Sequence, residues 1–210
     1  MSSINLLVAL PAEAKPITSR LELERVQPDL EFRLYRRGDV TLVITGPGKV
    51  NAAAGTAFLG TLEDRRRNAL WVNLGIAGHA ERGIGDVLLA SSIRDLGSGE
   101  VWHPILPEDA PCPAERLVTL DRPDPDYDHE GMVDMEASGF FPTACRYCGI
   151  ERVQVLKVIS DNRSNPARGL GAKQVRRLIG EMIGTLETLL ARLQLPGEAP
   201  GKSLGGRRAD

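Results

Sequence analysis

The chain has 210 residues, 42% of them hydrophobic and 26% charged, an ordinary composition for one soluble globular domain with a sizeable core. Its 26 basic and 28 acidic residues leave a net charge of -2, which excludes a global electrostatic attraction to nucleic acid or to an anionic membrane and points to a small-molecule partner. Three cysteines, Cys112, Cys145 and Cys148, fit a reducing compartment, the cytoplasm, better than a disulfide framework. The Cys145-x-x-Cys148 spacing lacks the further ligands of a zinc site, and it reads as two small apolar side chains on one helix face.

At the N-terminus the apolar stretch from Ile4 to Leu10 has no basic residue before it and is too short to span a bilayer, so it predicts a buried strand and neither an anchor nor a secretory signal. "EFRLYRR" and "VTLVIT" flank Gly38-Asp39 and predict a hairpin with a tight turn. A helix rich in small residues is expected from about Val50, closing on Arg65, Arg66 and Arg67, whose charges suit the negative end of its dipole. "ALWVNLG", "GDVLLASSIRDL", "RLVTLD" and "RVQVLKVIS" (Arg152 to Ser160) read as further strands, with a helix in "EASGFFPTACRYCG" interrupted by Pro142. The clearest element is the last helix, where Val175, Leu178, Ile179, Met182, Ile183, Leu186, Leu189, Leu190 and Leu193 follow the three-and-four spacing of one apolar face. The rest, "PGEAPGKSLGGRRAD", is poor in apolar residues and reads as a disordered tail, so the expected organisation is one domain over residues 1–195 and a tail over 196–210. Alternating strands and helices imply a three-layer α/β/α sandwich, helices on both faces of a central sheet, with chemistry where strands end in loops.

The unusual residues fall at those ends. Glu13 lies just past the first strand, "TGPGKVNAAAG" follows "VTLVI", "NLGIAGHAERGIGD" follows "ALWV", and "SDNRSN" follows "VLKVI". Gly46, Gly48, Gly75 and Gly78 would let backbone approach a ligand closely. His79, His103 and His129 stand in no metal-ligand spacing and read as solvent or ligand contacts without a catalytic role.

Taken in order, "ALPAEA", "TGPGKVNAA", "NLGIAG" with "GDVLLAS", "VDMEAS" and "VISD" resemble the nucleoside phosphorylase and nucleosidase superfamily, specifically its methylthioadenosine/S-adenosylhomocysteine nucleosidases, over residues 4 to about 190. The resemblance implies a phosphorylase-like fold with a mixed central sheet, a homodimer, a nucleoside substrate, and neither a metal nor another cofactor. It also implies that Met135 and Glu136 hold the ribose, that Asp161 protonates the purine at N7 with Ser160 orienting it, and that Glu13 is the base for the attacking water. Ala77 and Gly78 of "NLGIAG" would line the substrate. Asp134 is expected to be structural, an exposed or helix-capping acid.

Water is favoured over phosphate because Glu13 stands where the phosphorylases have a glycine loop, and "NLGIAG" has neither the arginine nor the serine that would hold phosphate. Ile76 stands in place of a common serine and Leu10 in place of a common methionine. Arg122-Pro123 falls where relatives place an aromatic residue on the base, and Tyr127 reads as an exposed loop residue. The base and the 5' substituent are left open. The alternatives are a phosphorylase and a nucleoside-binding module without catalysis.

Overall fold

The computed structural model describes residues 3–27, 31–62, 69–168 and 170–194. The predicted arginine cluster at 65–67 and the tail over 196–210 lie outside them. Strand β1 (Ile4–Val8) is buried along its whole length and alternates between two cores, Leu6 and Val8 facing one and Leu7 the other. Helix α1 (Pro11–Arg20) follows at once. Pro11 supplies its first turn, where a missing N–H costs nothing, and Glu13 and Arg20 suit the two ends of its dipole. A two-residue strand β2 (Glu24–Arg25) leads to the hairpin of β3 (Arg33–Arg37) and β4 (Val40–Ile44), which turns at Gly38-Asp39 as the sequence predicts.

Helix α2 (Lys49–Leu62) is followed by the long strand β5 (Leu70–His79), β6 (Val87–Asp95), the short β7 (Val101–Trp102), β8 (Ala114–Thr119) and β9 (Met132–Asp134). Helix α3 (Ala137–Ala144) accommodates Pro142, and β10 (Val153–Asp161) precedes the closing helix α4 (Ala172–Gln194). Cys145 caps α3 and Cys148 lies beyond it, so the two thiols do not share a helix face. Both are partly buried against the core beneath α3.

The sheet is mixed. β1 is parallel to β4 on one side and to β5 on the other, and β5 is parallel to β10. β5 outruns β1, and its last residues, Gly78 and His79, pair antiparallel with Val133 and Met132 of β9. Since β10 also pairs with β6, β6 with β8, and β8 with β9, this end of the sheet closes on itself. The layered architecture holds, with α1 and α4 over one face and α2 and α3 over the other. What the strand-helix alternation does not predict is the closed ring β5-β10-β6-β8-β9. One close approach fixes the second helical layer: a Cβ on Gly139 of α3 would lie 1.9 Å from the carbonyl oxygen of Lys49, so only glycine lets α3 rest on the start of α2. Among the described residues, no helix is long and apolar enough to cross a membrane.

Candidate active site

The C-terminal ends of β1, β5 and β10, the starts of α1 and α3, and the loop before α2 surround a cavity of about 240 Å³. Glu13, Ala77, Gly78, Met135, Glu136, Ser160 and Asp161, the residues singled out in the sequence, all line it.

Glu13 is presented by the first turn of α1 and is 2% exposed. Its Oε2 accepts the backbone N–H groups of Ala9 (3.0 Å) and Leu10 (2.8 Å), and its Oε1 accepts that of Ile76 (3.1 Å). Burial pushes this carboxyl up to about 7, against the opposing pull of the Leu10 and Ile76 N–H groups and of the Lys157 ammonium. A Cβ at residue 75 would come within 2.9 Å of Glu13 Oε1, so Gly75 makes room for the acid itself, not for a ligand.

At the other end, Asp161 closes β10. Ser160 donates its hydroxyl to Asp161 Oδ1 and also lies 3.3 Å from the Ala77 carbonyl oxygen. Tyr127 donates to Asp161 Oδ2 at 2.8 Å. A Cβ at residue 78 would stand 3.0 Å from the same oxygen, so Gly78 too leaves space for an acid. Gly46 and Gly48 take positive φ values of 85° and 97°, the backbone freedom the loop before α2 requires.

Glu136 precedes the first residue of α3, yet its side chain does not cap that helix. Its Oε1 accepts the Gly48 N–H at 2.9 Å, and Oε2 is 3.9 Å from Lys157 Nζ. Burial raises its pKa above the ordinary carboxyl value, Lys157 opposing and Asp134 reinforcing the shift. Asp134 is buried, which excludes the exposed alternative. The capping expectation holds in part, since Oδ2 accepts the Ala137 N–H at 2.9 Å while Oδ1 accepts the Thr119 hydroxyl at 2.7 Å.

The sequence reading missed Lys157. It sits in the middle of β10, is 1% exposed and places Nζ 2.8 Å from Asp134 Oδ2. Burial alone would pull its pKa down, but the charges of Asp134, Glu136 and Glu13 outweigh burial and hold it above the ordinary lysine value. The one signal for it in the sequence is a lone charge in an otherwise apolar strand, in "VLKVIS".

Two other readings change. Tyr127 is not an exposed loop residue but is 4% exposed and part of the cavity wall, near Arg122 and Pro123. His79 is buried, its Nε2 3.1 Å from Glu115 Oε1 and its Nδ1 accepting the N–H groups of Glu81 and Arg82, which makes it a structural tie at the end of β5. Among the described residues, no group of three or more histidine, cysteine, aspartate or glutamate side chains is placed to share a metal ion.

No family model and no curated protein sequence matches the chain. Solved structures do. The apo 5'-methylthioadenosine nucleosidase of Arabidopsis thaliana superposes with a TM-score of 0.78 at 18% identity, over 94% of this chain and 98% of that one. The Streptococcus pneumoniae MTA/SAH nucleosidase bound to 8-aminoadenine gives 0.70 at 18% identity, over 90% and 99%. The futalosine hydrolase of Helicobacter pylori gives 0.72 at 15% identity, over 90% and 97%. The chain therefore has the α/β fold of the nucleoside phosphorylase and nucleosidase superfamily. Its fold matches that of the two nucleosidases along nearly its whole length.

Proposed function

We propose that the protein is a nucleosidase that hydrolyses the N-glycosidic bond of a purine nucleoside of the methylthioadenosine/S-adenosylhomocysteine type, releasing free base and sugar. The observation that carries this reading is the convergence of Glu13, Glu136 and Asp161, from three different elements, on one cavity. Cleavage passes through a sugar cation, so the leaving base needs a proton and the anomeric carbon needs a nucleophile. Asp161 is the acid that protonates the purine at N7. Glu13, its carboxyl raised to about 7, is the base that takes a proton from water near neutral pH. Glu136 accepts the ribose hydroxyls beside Met135, and Ser160 orients Asp161.

The charge of the site supports water over phosphate. The Lys157 ammonium acts on Glu13 through its charge, and Asp134 and Glu136 already face it. A phosphate dianion entering there would meet more negative charge than positive. Both MTA/SAH nucleosidases and a futalosine hydrolase share this fold, so the identity of the base and the 5' substituent are the open parts of the assignment. We further place the enzyme in the cytoplasm, as its three free thiols favour, and assign it as a homodimer. Val50, 77% exposed one residue into α2 and two from the Gly48 N–H that Glu136 holds, favours pairing through the face beside the site. The test is incubation with a panel of purine ribosides including 5'-methylthioadenosine, with and without phosphate. Free base should be released at a rate independent of phosphate, and a sugar 1-phosphate would assign the protein as a phosphorylase instead.

A further inference from the structure

Tyr127 lies in the loop between β8 and β9 with φ of 55°, a backbone conformation that bulky side chains rarely adopt. Its partners are distant in sequence: the hydroxyl donates to Asp161 Oδ2 at 2.8 Å and accepts the Ala167 N–H at 3.0 Å, and the Tyr127 carbonyl accepts from Arg163 Nη2 at 2.8 Å. Its ring also lines a second, polar cleft of about 690 Å³ beside His79, Arg82 and Glu115, so it stands as a partition between that cleft and the site. A strained backbone is kept only where surrounding contacts over-determine it, and here those contacts converge on Asp161 and the residues just after it.

We propose that Tyr127 is a positioning residue for the acid: its hydroxyl holds Asp161 in place and stabilises the negative charge that develops there as the base is protonated. The inference rests on the nucleosidase reading. In the step concerned, the electron pair of the breaking C–N bond moves to the purine and the Asp161 proton passes to N7, which leaves Asp161 as a carboxylate. Water adds to the anomeric carbon and gives its proton to Glu13, and solvent later returns a proton to Asp161. Because the Tyr127 oxygen accepts from Ala167, its hydrogen is left for Asp161. Burial, with Asp161 beside it, pushes the phenol up to about 12, so Tyr127 remains a donor at neutral pH. A hydrogen bond to a carboxylate is stronger than one to a neutral acid, so the contact strengthens as the proton leaves, and the gain falls on the transition state.

The test compares wild type and Tyr127→Phe on two substrates: the purine riboside that wild type cleaves fastest, whose base must be protonated, and 4-nitrophenyl β-riboside, whose leaving group needs no proton. The ratio of the two kcat values should fall about tenfold to hundredfold in Tyr127→Phe, the worth of a hydrogen bond to a charged group, with KM for the purine riboside moving less than kcat. An equal loss on both substrates would reduce Tyr127 to packing, and no loss on either would remove its role. If wild type cleaves no riboside in the panel, the nucleosidase reading fails first and the role of Tyr127 falls with it. If the purine riboside is cleaved and the ratio is unmoved, only the Tyr127 proposal fails.

Discussion

Glu13 and Asp161 are both carboxyl groups on the same cavity, but the protein holds them by different means. Glu13 accepts three backbone N–H groups, from Ala9, Leu10 and Ile76, whose positions are set by β1, α1 and β5. Asp161 is held by two side-chain hydroxyls, those of Ser160 and Tyr127. An N–H can only donate, so the surroundings of Glu13 are organised for the anion while burial opposes it, and the outcome is a group that exchanges its proton near neutral pH. A hydroxyl can donate or accept. Ser160 can turn its hydrogen toward the Ala77 carbonyl and accept from a protonated Asp161, then turn back when the proton has gone. On the proposed roles, fixed donors suit the base, while Asp161 has one fixed donor in Tyr127 and one rotatable hydroxyl in Ser160, which suits an acid that passes between two states.

The largest expected effect lies beside Glu13, whose carboxyl feels the charge of Lys157. Lys157→Met leaves Asp134 and Glu136 buried without their cation, and the cost should be about 3–5 kcal/mol of unfolding free energy, read as a lowered urea midpoint. An unchanged midpoint would show that the lysine is not needed to hold the carboxylates together. Next in size, Asp161→Asn should lower kcat by a factor on the order of 10² or more with the fold intact, by circular dichroism and melting, and near-normal turnover would end its assignment as the acid.

The pH profile addresses the other end. A base works when deprotonated, so kcat/KM should rise with pH through about 7, and Glu13→Gln should lower turnover more than it weakens binding and abolish that limb. The same raised value has a cost in stability. Between 4.5 and about 7 the folded state keeps a proton that the unfolded chain releases, so the contribution of Glu13 to stability falls as pH climbs through that window. A rising limb that persists in Glu13→Gln would belong to another group. The smallest expected effect concerns Glu136: removing the 2'-hydroxyl of the substrate should cost roughly 1–3 kcal/mol in transition-state binding, and equal rates on ribosides and 2'-deoxyribosides would leave Glu136 with no part in holding the sugar.

Much of the frame was legible in the sequence because it follows local rules. The apolar stripe of α4, the hairpin at Gly38-Asp39 and the buried strands all come from periodicity and turn chemistry. Glu13, Glu136 and Asp161 were singled out because each follows or adjoins a strand end within a recognisable motif, and they line one cavity. Helix α1 was harder to see, since Pro16 falls inside it and interrupts the pattern of a helix. The ring closure through β9 depends on which strands become neighbours, and that is not encoded in the periodicity of any one of them. Tyr127 escaped for a similar reason: its burial requires Asp161, Arg163 and Ala167, more than thirty residues away, to hold a backbone angle that its own segment disfavours. Lys157 is the instructive miss, because a lone lysine inside an apolar strand is itself a report of buried partners.

Whether water or phosphate attacks the sugar is decided by running the reaction in ¹⁸O-labelled water with phosphate present and analysing the sugar by mass spectrometry. Attack by water gives free sugar carrying one ¹⁸O at the anomeric position, formed at a rate that added phosphate does not change. An unlabelled sugar 1-phosphate whose rate of formation climbs with phosphate concentration would contradict it.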